Sequence, residues 1–107
     1  MRRVASVIGL PEEHRAEYER LHAAVWPAVL DQIQRSHIRN YSIYRCGELL
    51  FSYFEYVGED YDRDMAAMSA DPATQRWWAV CTPLQSPLPD RAPGEWWKEL
   101  DPVFHAD

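Results

Sequence analysis

The sequence of 107 residues predicts an α+β sandwich in which helices cover one face of an antiparallel sheet. Two strand-like runs follow each other around a short Cys-Gly-Glu turn, which is typical of an antiparallel hairpin. Helical periodicity precedes and follows that hairpin, so helices can return over the sheet. The length indicates one domain, residues 1–107, and a content of 47% hydrophobic residues is enough to form its core.

The first third of the chain is predicted to be a strand followed by an interrupted helix. Residues 3–9 form a short apolar run that indicates the strand. Helical periodicity then extends from about Pro11 to Arg35, with acidic residues in its first turn. Pro27 lies inside this stretch. Because proline has no amide hydrogen and clashes with the preceding turn, we expect the helix to kink there or to restart after Trp26.

The remaining elements follow from alternation and from helix breakers. Residues 39–46 and 49–57 alternate as a hairpin. Helices are predicted over about 60–69 and 73–80, separated by an Asp-Pro break. Residues 83–107 contain five of the eight prolines and are predicted to be an extended C-terminal tail, with a fourth strand around 102–105.

This order of elements predicts a ferredoxin-like sandwich. Both faces of the hairpin are substantially apolar: Phe51 and Tyr53 share one face, and Leu50 and Phe54 share the other. Since one helical layer covers only one face, the other face needs the tail, a ligand or a second subunit to cover it. A homodimer that packs sheet to sheet is the simplest of these, and we expect it.

Composition excludes several classes of partner. The net charge is −6 and the chain has no basic cluster longer than Arg2-Arg3, which argues against nucleic acid and anionic membranes. No apolar run approaches the ~20 residues that span a bilayer, and no secretory signal is visible, so we expect a cytoplasmic protein. Cys46 and Cys81 are expected to be free thiols, and no metal-binding spacing occurs.

The candidate site is a tyrosine–histidine pair on the first helix. Tyr18 and His22 are four residues apart and therefore share the apolar helix face that carries Leu21, Val25 and Val29. A phenol beside an imidazole can bind a polar ligand and move its protons. The alternative is that His22 is a hydrogen-bonded core histidine.

Several strings resemble the L-rhamnose mutarotase family over Arg3 to about His105. The most specific are Asn-Tyr-Ser-Ile-Tyr at 40–44 and Gln-Arg-Trp-Trp at 75–78. The resemblance implies a ferredoxin-like dimer (a dimeric α/β barrel) without a cofactor. It also implies interconversion of the α and β anomers of L-rhamnose or a related 6-deoxyhexose.

The resemblance also implies residue roles. It assigns proton donation to His22 and sugar binding to Tyr18, Tyr41, Trp77 and Trp78. Adjacent helical residues diverge by roughly 100°, so we expect one tryptophan to line the pocket and the other to lie in the core or contact the second subunit. The pocket is predicted between the first helix, the Tyr41 strand and the Gln75–Trp78 helix, with residues 83–97 as a partial lid.

Alternatives remain at this stage. The chain could be a mutarotase for another deoxy sugar such as L-fucose. It could also be a non-catalytic ferredoxin-like dimer that binds a small molecule, or a cofactor-free oxygenase-type barrel. Glu55 could be a second acid/base or an exposed carboxylate, and Asn40 could bind a hydroxyl or its local backbone. The tail, with Trp96-Trp97, departs from the family pattern, and the resemblance leaves open which deoxy sugar is the substrate.

Overall fold

The computed structural model describes residues 1–107 and contains four strands and four α-helices. In chain order they are β1 (Arg2–Gly9), α1 (Arg15–His22), α2 (Pro27–Arg35), β2 (Ile38–Cys46), β3 (Leu49–Tyr56), α3 (Tyr61–Ala70), α4 (Pro72–Cys81) and β4 (Lys98–Glu99). Short 3-10 turns lie at Glu12–His14 and Thr82–Leu84. None of the helices has the length and apolarity that crossing a membrane requires.

The strands form one antiparallel sheet in the order β2-β3-β1-β4, which confirms the predicted ferredoxin-like arrangement. In the β1–β3 register, Ile8 pairs with Leu50 and Ser6 with Ser52, and these residues are buried on the helix-covered face. The alternate residues of β3, including Tyr53, lie on the opposite face, which no helix of this chain covers.

The helix interruption at Pro27 is confirmed. α1 ends at His22, Trp26 has an extended backbone (ψ 135°), and Pro27 is the first residue of α2. Proline fits a first helical position because the amide hydrogen that it lacks has no partner there. The break places His22 at the C-terminal end of a short helix.

The β2–β3 hairpin carries two local irregularities. Gly47 has a φ of +58° in the connecting turn, where glycine avoids the steric cost of a side chain. Asn40 has a φ of +53° within a β-bulge between Arg39 and Ser42. The bulge adds one residue to β2, so Asn40 and Tyr41 together face a single residue of β3.

The prediction of a fourth strand at 102–105 is wrong. β4 is Lys98–Glu99, which pairs with Val7 and Ser6 of β1. The last hydrogen bond of this edge runs from the Leu100 N–H to the Ala5 carbonyl at 2.8 Å. Pro102 lacks the amide hydrogen with which a strand would continue the ladder, and the following Val103 is 98% exposed.

The core lies between the sheet and the helices, directly beneath the candidate site. Its buried members come from β1, α1, α2, β3 and α4 and the segment after β1: Ile8, Leu10, Tyr18, Val29, Leu50, Trp77 and Cys81. Two candidate site residues, Tyr18 and Trp77, therefore belong to the core and are held by its packing.

Candidate active site

A cavity of about 290 Å³ opens between α1, α4, β2 and the tail. Its volume is near the lower end for small-ligand pockets, roughly 300 Å³. All five residues predicted from the sequence line it: Tyr18, His22, Tyr41, Trp77 and Trp78. The structure thus brings them together in one place, while their roles remain predictions.

His22 is held between two aromatic rings. Its imidazole stacks on Tyr18 with ring centroids 4.1 Å apart, and it meets the Trp77 indole edge-on at 5.2 Å. His22 Nδ1 lies 2.9 Å from the Tyr18 carbonyl oxygen. Because a carbonyl only accepts, Nδ1 must carry the hydrogen, and Nε2 is the nitrogen that can exchange a proton with a ligand.

The surroundings of His22 favour its neutral form. Partial burial lowers the pKa of the imidazole, and the hydrogen bond to the Tyr18 carbonyl opposes this shift without cancelling it. No carboxylate contacts the ring. Near neutral pH, most His22 is therefore neutral, with a basic Nε2.

Tyr18 provides a hydroxyl that stays protonated. The residue is 4% exposed, and burial raises the pKa of its phenol far above the ordinary value. Its oxygen accepts a hydrogen bond from Gln85 Nε2 at 3.1 Å. The phenol is therefore a hydrogen-bonding group rather than a phenolate base.

The two tryptophans have different environments although both line the cavity. Trp77 is 6% exposed and packs edge-on against Trp26 as well as His22. Trp78 is 38% exposed. Trp77 lies in the core, as expected for one of the pair, and it lines the cavity as well, so a core position does not keep it out of the pocket.

Tyr41 lies in the bulge of β2, on the same strand face as Ile43. It lines the cavity together with Ile43, while its ring packs against Phe54 with centroids 5.6 Å apart. The residue is 42% exposed, and desolvation raises the pKa of its hydroxyl. Tyr41 is thus a second neutral phenol beside His22.

Glu55 and Asn40 form a separate polar group. Asn40 Nδ2 donates to Glu55 Oε1 at 2.8 Å, and the Tyr53 hydroxyl donates to Glu55 Oε2 at 2.8 Å. These two bonds hold the pKa of Glu55 below its usual value. The carboxylate shares the uncovered sheet face with Tyr53, so it is not a second acid/base in the cavity.

The tail contributes residues that had no predicted role as individuals. Gln85, Trp96 and Trp97 line the cavity, which confirms that the segment 83–97 covers part of the pocket. Cys81 also lines it, and burial raises the pKa of its thiol to about 11, so it is a poor nucleophile. Nothing local in the sequence distinguishes Gln85 from other tail residues, because its neighbours come from distant parts of the chain.

The fold and the cavity define a class: a ferredoxin-like α+β protein whose aromatic pocket carries one proton-transfer group. Two solved structures share the fold over the whole chain. They are an L-rhamnose mutarotase from Formosa agariphila (TM-score 0.78, 19% identity, 100% of both chains) and the tetracenomycin F2 cyclase of Streptomyces glaucescens (TM-score 0.69, 13% identity, 100% of this chain and 98% of the other).

The chain belongs to the L-rhamnose mutarotase family, whose model matches residues 3–106. Among similar proteins, an L-fucose mutarotase of Xanthomonas campestris is 37% identical and aligns over 97% of this chain and 87% of its own. An L-rhamnose mutarotase of Phocaeicola vulgatus is 32% identical over the full length of both chains. Membership makes this protein an isomerase of the sugar mutarotase type. The enzyme predicted from the sequence is therefore confirmed, and the alternative of a non-catalytic binding dimer is not.

Proposed function

We propose that this protein interconverts the α and β anomers of a 6-deoxyhexose, L-rhamnose above all, and that His22 Nε2 carries the protons. The observation that supports this most directly is the hydrogen bond from His22 Nδ1 to the Tyr18 carbonyl oxygen. Because Nδ1 is occupied, Nε2 is the ring nitrogen that can exchange a proton with a ligand in the cavity that His22 lines. The reaction requires only proton transfers, and these a single imidazole can perform.

The proton balance of the reaction closes on His22. Neutral Nε2 takes the proton of the anomeric hydroxyl while the bond between the anomeric carbon and the ring oxygen breaks. The imidazolium then returns a proton to the former ring oxygen, giving the open aldehyde and neutral His22. After rotation of the carbonyl, the reverse steps close the ring to the other anomer. A positioned acid/base of this kind typically contributes about 10²- to 10⁴-fold.

The proposed sugar contacts follow the chemistry of the walls. Tyr18 and Tyr41 supply hydroxyls for the sugar oxygens, and the indoles of Trp77 and Trp78 supply apolar surface for C–H groups. A second cavity of about 310 Å³ adjoins the first at His22 and is walled by apolar residues of α2, including Val29 and Ile33. Such a wall suits the methyl group of a 6-deoxy sugar.

L-fucose is the second candidate substrate. The relative from Xanthomonas campestris, at 37% identity, is an L-fucose mutarotase, whereas the L-rhamnose mutarotase of Phocaeicola vulgatus is 32% identical. Both sugars are 6-deoxyhexoses, so the acid/base chemistry is the same and the difference lies in hydroxyl positions.

Saturation-transfer NMR tests the activity and the substrate together. We expect magnetisation to pass between the α and β anomeric protons of L-rhamnose faster with the protein than in buffer. The same measurement with L-fucose tests the second candidate. D-glucose is the control, since it carries a hydroxyl on C6 where the 6-deoxy sugars have a methyl group. If neither deoxy sugar exchanges faster than in buffer, the proposed function is wrong.

We further propose that the protein is a homodimer that packs through the uncovered sheet face. This face carries Phe51 and Tyr53, and the neighbouring Tyr44 of β2 is 68% exposed. Light scattering should give twice the chain mass of 12.6 kDa. Tyr44→Lys should shift the mass towards the monomer, whereas Val80→Lys on α4 should not. A monomer mass for the unmodified protein would contradict the proposal.

The cytoplasm is the proposed compartment. The two cysteines form no disulfide, Cys46 being exposed and Cys81 buried, which suits a reducing environment. Cell fractionation with an antibody to the protein tests this, and recovery outside the cytoplasmic fraction would contradict it.

A further inference from the structure

We propose that Gln85 and Trp96 of the tail are positioning residues that set the hydrogen-bond polarity of Tyr18, so that Tyr18 presents its hydrogen to the ligand. This inference rests on the proposed function, in which Tyr18 contacts the sugar. It assigns the Pro-rich tail a task in sugar recognition beyond covering the pocket.

The polarity is set by an indole that can only donate. Trp96 Nε1 donates to Gln85 Oε1 at 2.8 Å. Since an indole N–H cannot accept, the oxygen of the Gln85 amide must face Trp96. The amide nitrogen then faces the opposite way, and Gln85 Nε2 donates to the Tyr18 hydroxyl oxygen at 3.1 Å.

The Tyr18 hydroxyl thereby uses an acceptor site within the protein and keeps its own hydrogen. No protein acceptor takes that hydrogen, and burial raises the pKa of the phenol, so the group does not ionise. Tyr18 and Gln85 both line the cavity. A ligand oxygen with a free lone pair is the partner that this arrangement selects.

The chain holds Gln85 at this place by a close backbone contact. Gly9 and Ser86 exchange two backbone hydrogen bonds, at 2.8 and 2.9 Å. A Cβ on residue 9 would lie only 2.5 Å from the Ser86 carbonyl oxygen, so this approach requires glycine. The residue next to Gln85 is therefore fixed to β1, in the middle of the sheet.

The Trp96 side of the connection is held by the loop before it. The Arg91 guanidinium donates to the carbonyls of Glu95 and Leu88, both at 2.9 Å. The Ala92 N–H donates to the Glu95 side chain at 2.9 Å. Because Ser86 and the loop before Trp96 are both fixed, only one orientation of the Gln85 amide satisfies the hydrogen bonds to Trp96 and to Tyr18.

Gln85→Glu reverses the polarity at nearly constant shape and is the decisive variant. An ionised carboxylate accepts from Trp96 and also from Tyr18, so the Tyr18 hydrogen turns away from the ligand. Using anomer exchange of L-rhamnose, we expect kcat/KM to fall about tenfold or more at neutral pH, the effect of one misdirected buried hydrogen bond. Gln34→Glu, an exposed position on α2 outside the cavity, is the control for added charge and should stay at the parent rate.

Two further readouts distinguish positioning from a structural role. The ratio of the Gln85→Glu rate to the parent rate should rise as the pH falls, because a protonated carboxyl can again donate to Tyr18. In the background of Tyr18→Phe, Gln85→Glu should cause little further loss. Trp96→Phe, which frees the amide to rotate, should lower kcat/KM by a smaller factor.

The outcomes separate this inference from the proposed function. If the parent protein exchanges anomers and Gln85→Glu exchanges them equally well, the inference is wrong while the function stands. A loss that is independent of pH, or that is equally large without the Tyr18 hydroxyl, also overturns it. If Gln85→Glu fails to fold, Trp96→Phe replaces it in the comparison, because Trp96 is exposed and its substitution is mild. Trp96→Phe should then lower kcat/KM in the parent protein and have little effect in the background of Tyr18→Phe, and an equal loss in both would overturn the inference. Absence of exchange by the parent protein contradicts both proposals.

Discussion

The protein contains two histidine–tyrosine clusters with different environments. In the first, His22 stacks on Tyr18, its Nδ1 donates to a neutral carbonyl, and the ring lines a cavity. In the second, His37 Nδ1 lies 3.1 Å from Asp64 Oδ2, and the Tyr56 hydroxyl donates to the same carboxylate oxygen.

In the second cluster, the carboxylate and the phenol both bond to protein partners. Asp64 is 8% exposed and accepts from both neighbours, and the Tyr56 hydroxyl also accepts from the Asp60 N–H at 3.0 Å. None of the groups that this carboxylate joins lines the cavity beside His22. The same residue types therefore join β3 and the turn between α2 and β2 to α3 in one place. In the other place they leave an imidazole nitrogen free for proton transfer. The candidate site is therefore marked by a ring nitrogen without a protein partner beside a cavity, and not by the residue types alone.

The largest expected contrast is in activity. His22→Ala should lower the rate of anomer exchange by about 10²- to 10⁴-fold, because it removes the only imidazole in the cavity. His37→Ala should exchange anomers within about twofold of the parent, since His37 is outside the cavity. Saturation-transfer NMR on both purified variants, with circular dichroism to check folding, makes this comparison. Equal rates for His22→Ala and the parent would remove the distinction between the clusters.

The next contrast is in stability. Asp64→Ala removes the acceptor shared by Tyr56 and His37 and leaves the Tyr56 hydroxyl, which is buried, without it, so we expect the melting temperature to fall by several degrees. His22→Ala should lower it less, because the imidazole is only half-buried and donates one hydrogen bond. Thermal unfolding followed by circular dichroism measures both. A larger fall for His22→Ala would show that the first cluster is the structural one.

The two clusters should also respond to pH in different ranges. The hydrogen bond from Tyr56 and the contact with His37 hold the pKa of Asp64 below 3.8, so its contribution to stability is complete above that value and is lost as the pH falls through the lowered pKa. Burial lowers the pKa of His22 below 6.5, so the unfolded chain binds the proton more readily and stability declines as the pH falls below about 6.5.

Denaturant unfolding across the pH range checks these two windows. Asp64→Asn should reduce the dependence below pH 3.8 by the share that Asp64 contributes, and His22→Gln should remove the decline that begins near pH 6.5. If His22→Gln leaves the upper window unchanged, the proposed environment of His22 is wrong.

Local patterns in the sequence predicted most of the fold. The helix restart at Pro27, the hairpin and the helices around the Asp71-Pro72 break follow from periodicity and proline chemistry, which act over a few residues. The Tyr18–His22 pair was found for the same reason, since spacing on one helix is a local property. The position of β4 was not predicted. The apolar residues after Pro102 indicated a strand at 102–105, although Pro102 disfavours one there. Which tail residues pair with β1 depends on contacts between distant parts of the chain.

The contacts that sequence reasoning missed, in the site and outside it, join distant parts of the chain. Tyr18 and Gln85 are 67 positions apart and His37 and Asp64 are 27 apart, so no spacing rule connects them. Asn40 lies in a strand that looks regular in sequence, and its positive φ appears only when β2 pairs with β3. Family resemblance supplied Tyr41, Trp77 and Trp78, which residue patterns alone left open.

The most direct test of the central claim compares two pKa values. NMR titration of the His22 imidazole, with the ¹⁵N shifts identifying which nitrogen carries the hydrogen, should show the Nδ1–H form and a pKa below 6.5. The acidic limb of kcat/KM for anomer exchange should bend at that same pKa. An Nε2–H form at neutral pH, or a rate profile that bends at a pKa different from that of His22, would contradict the account.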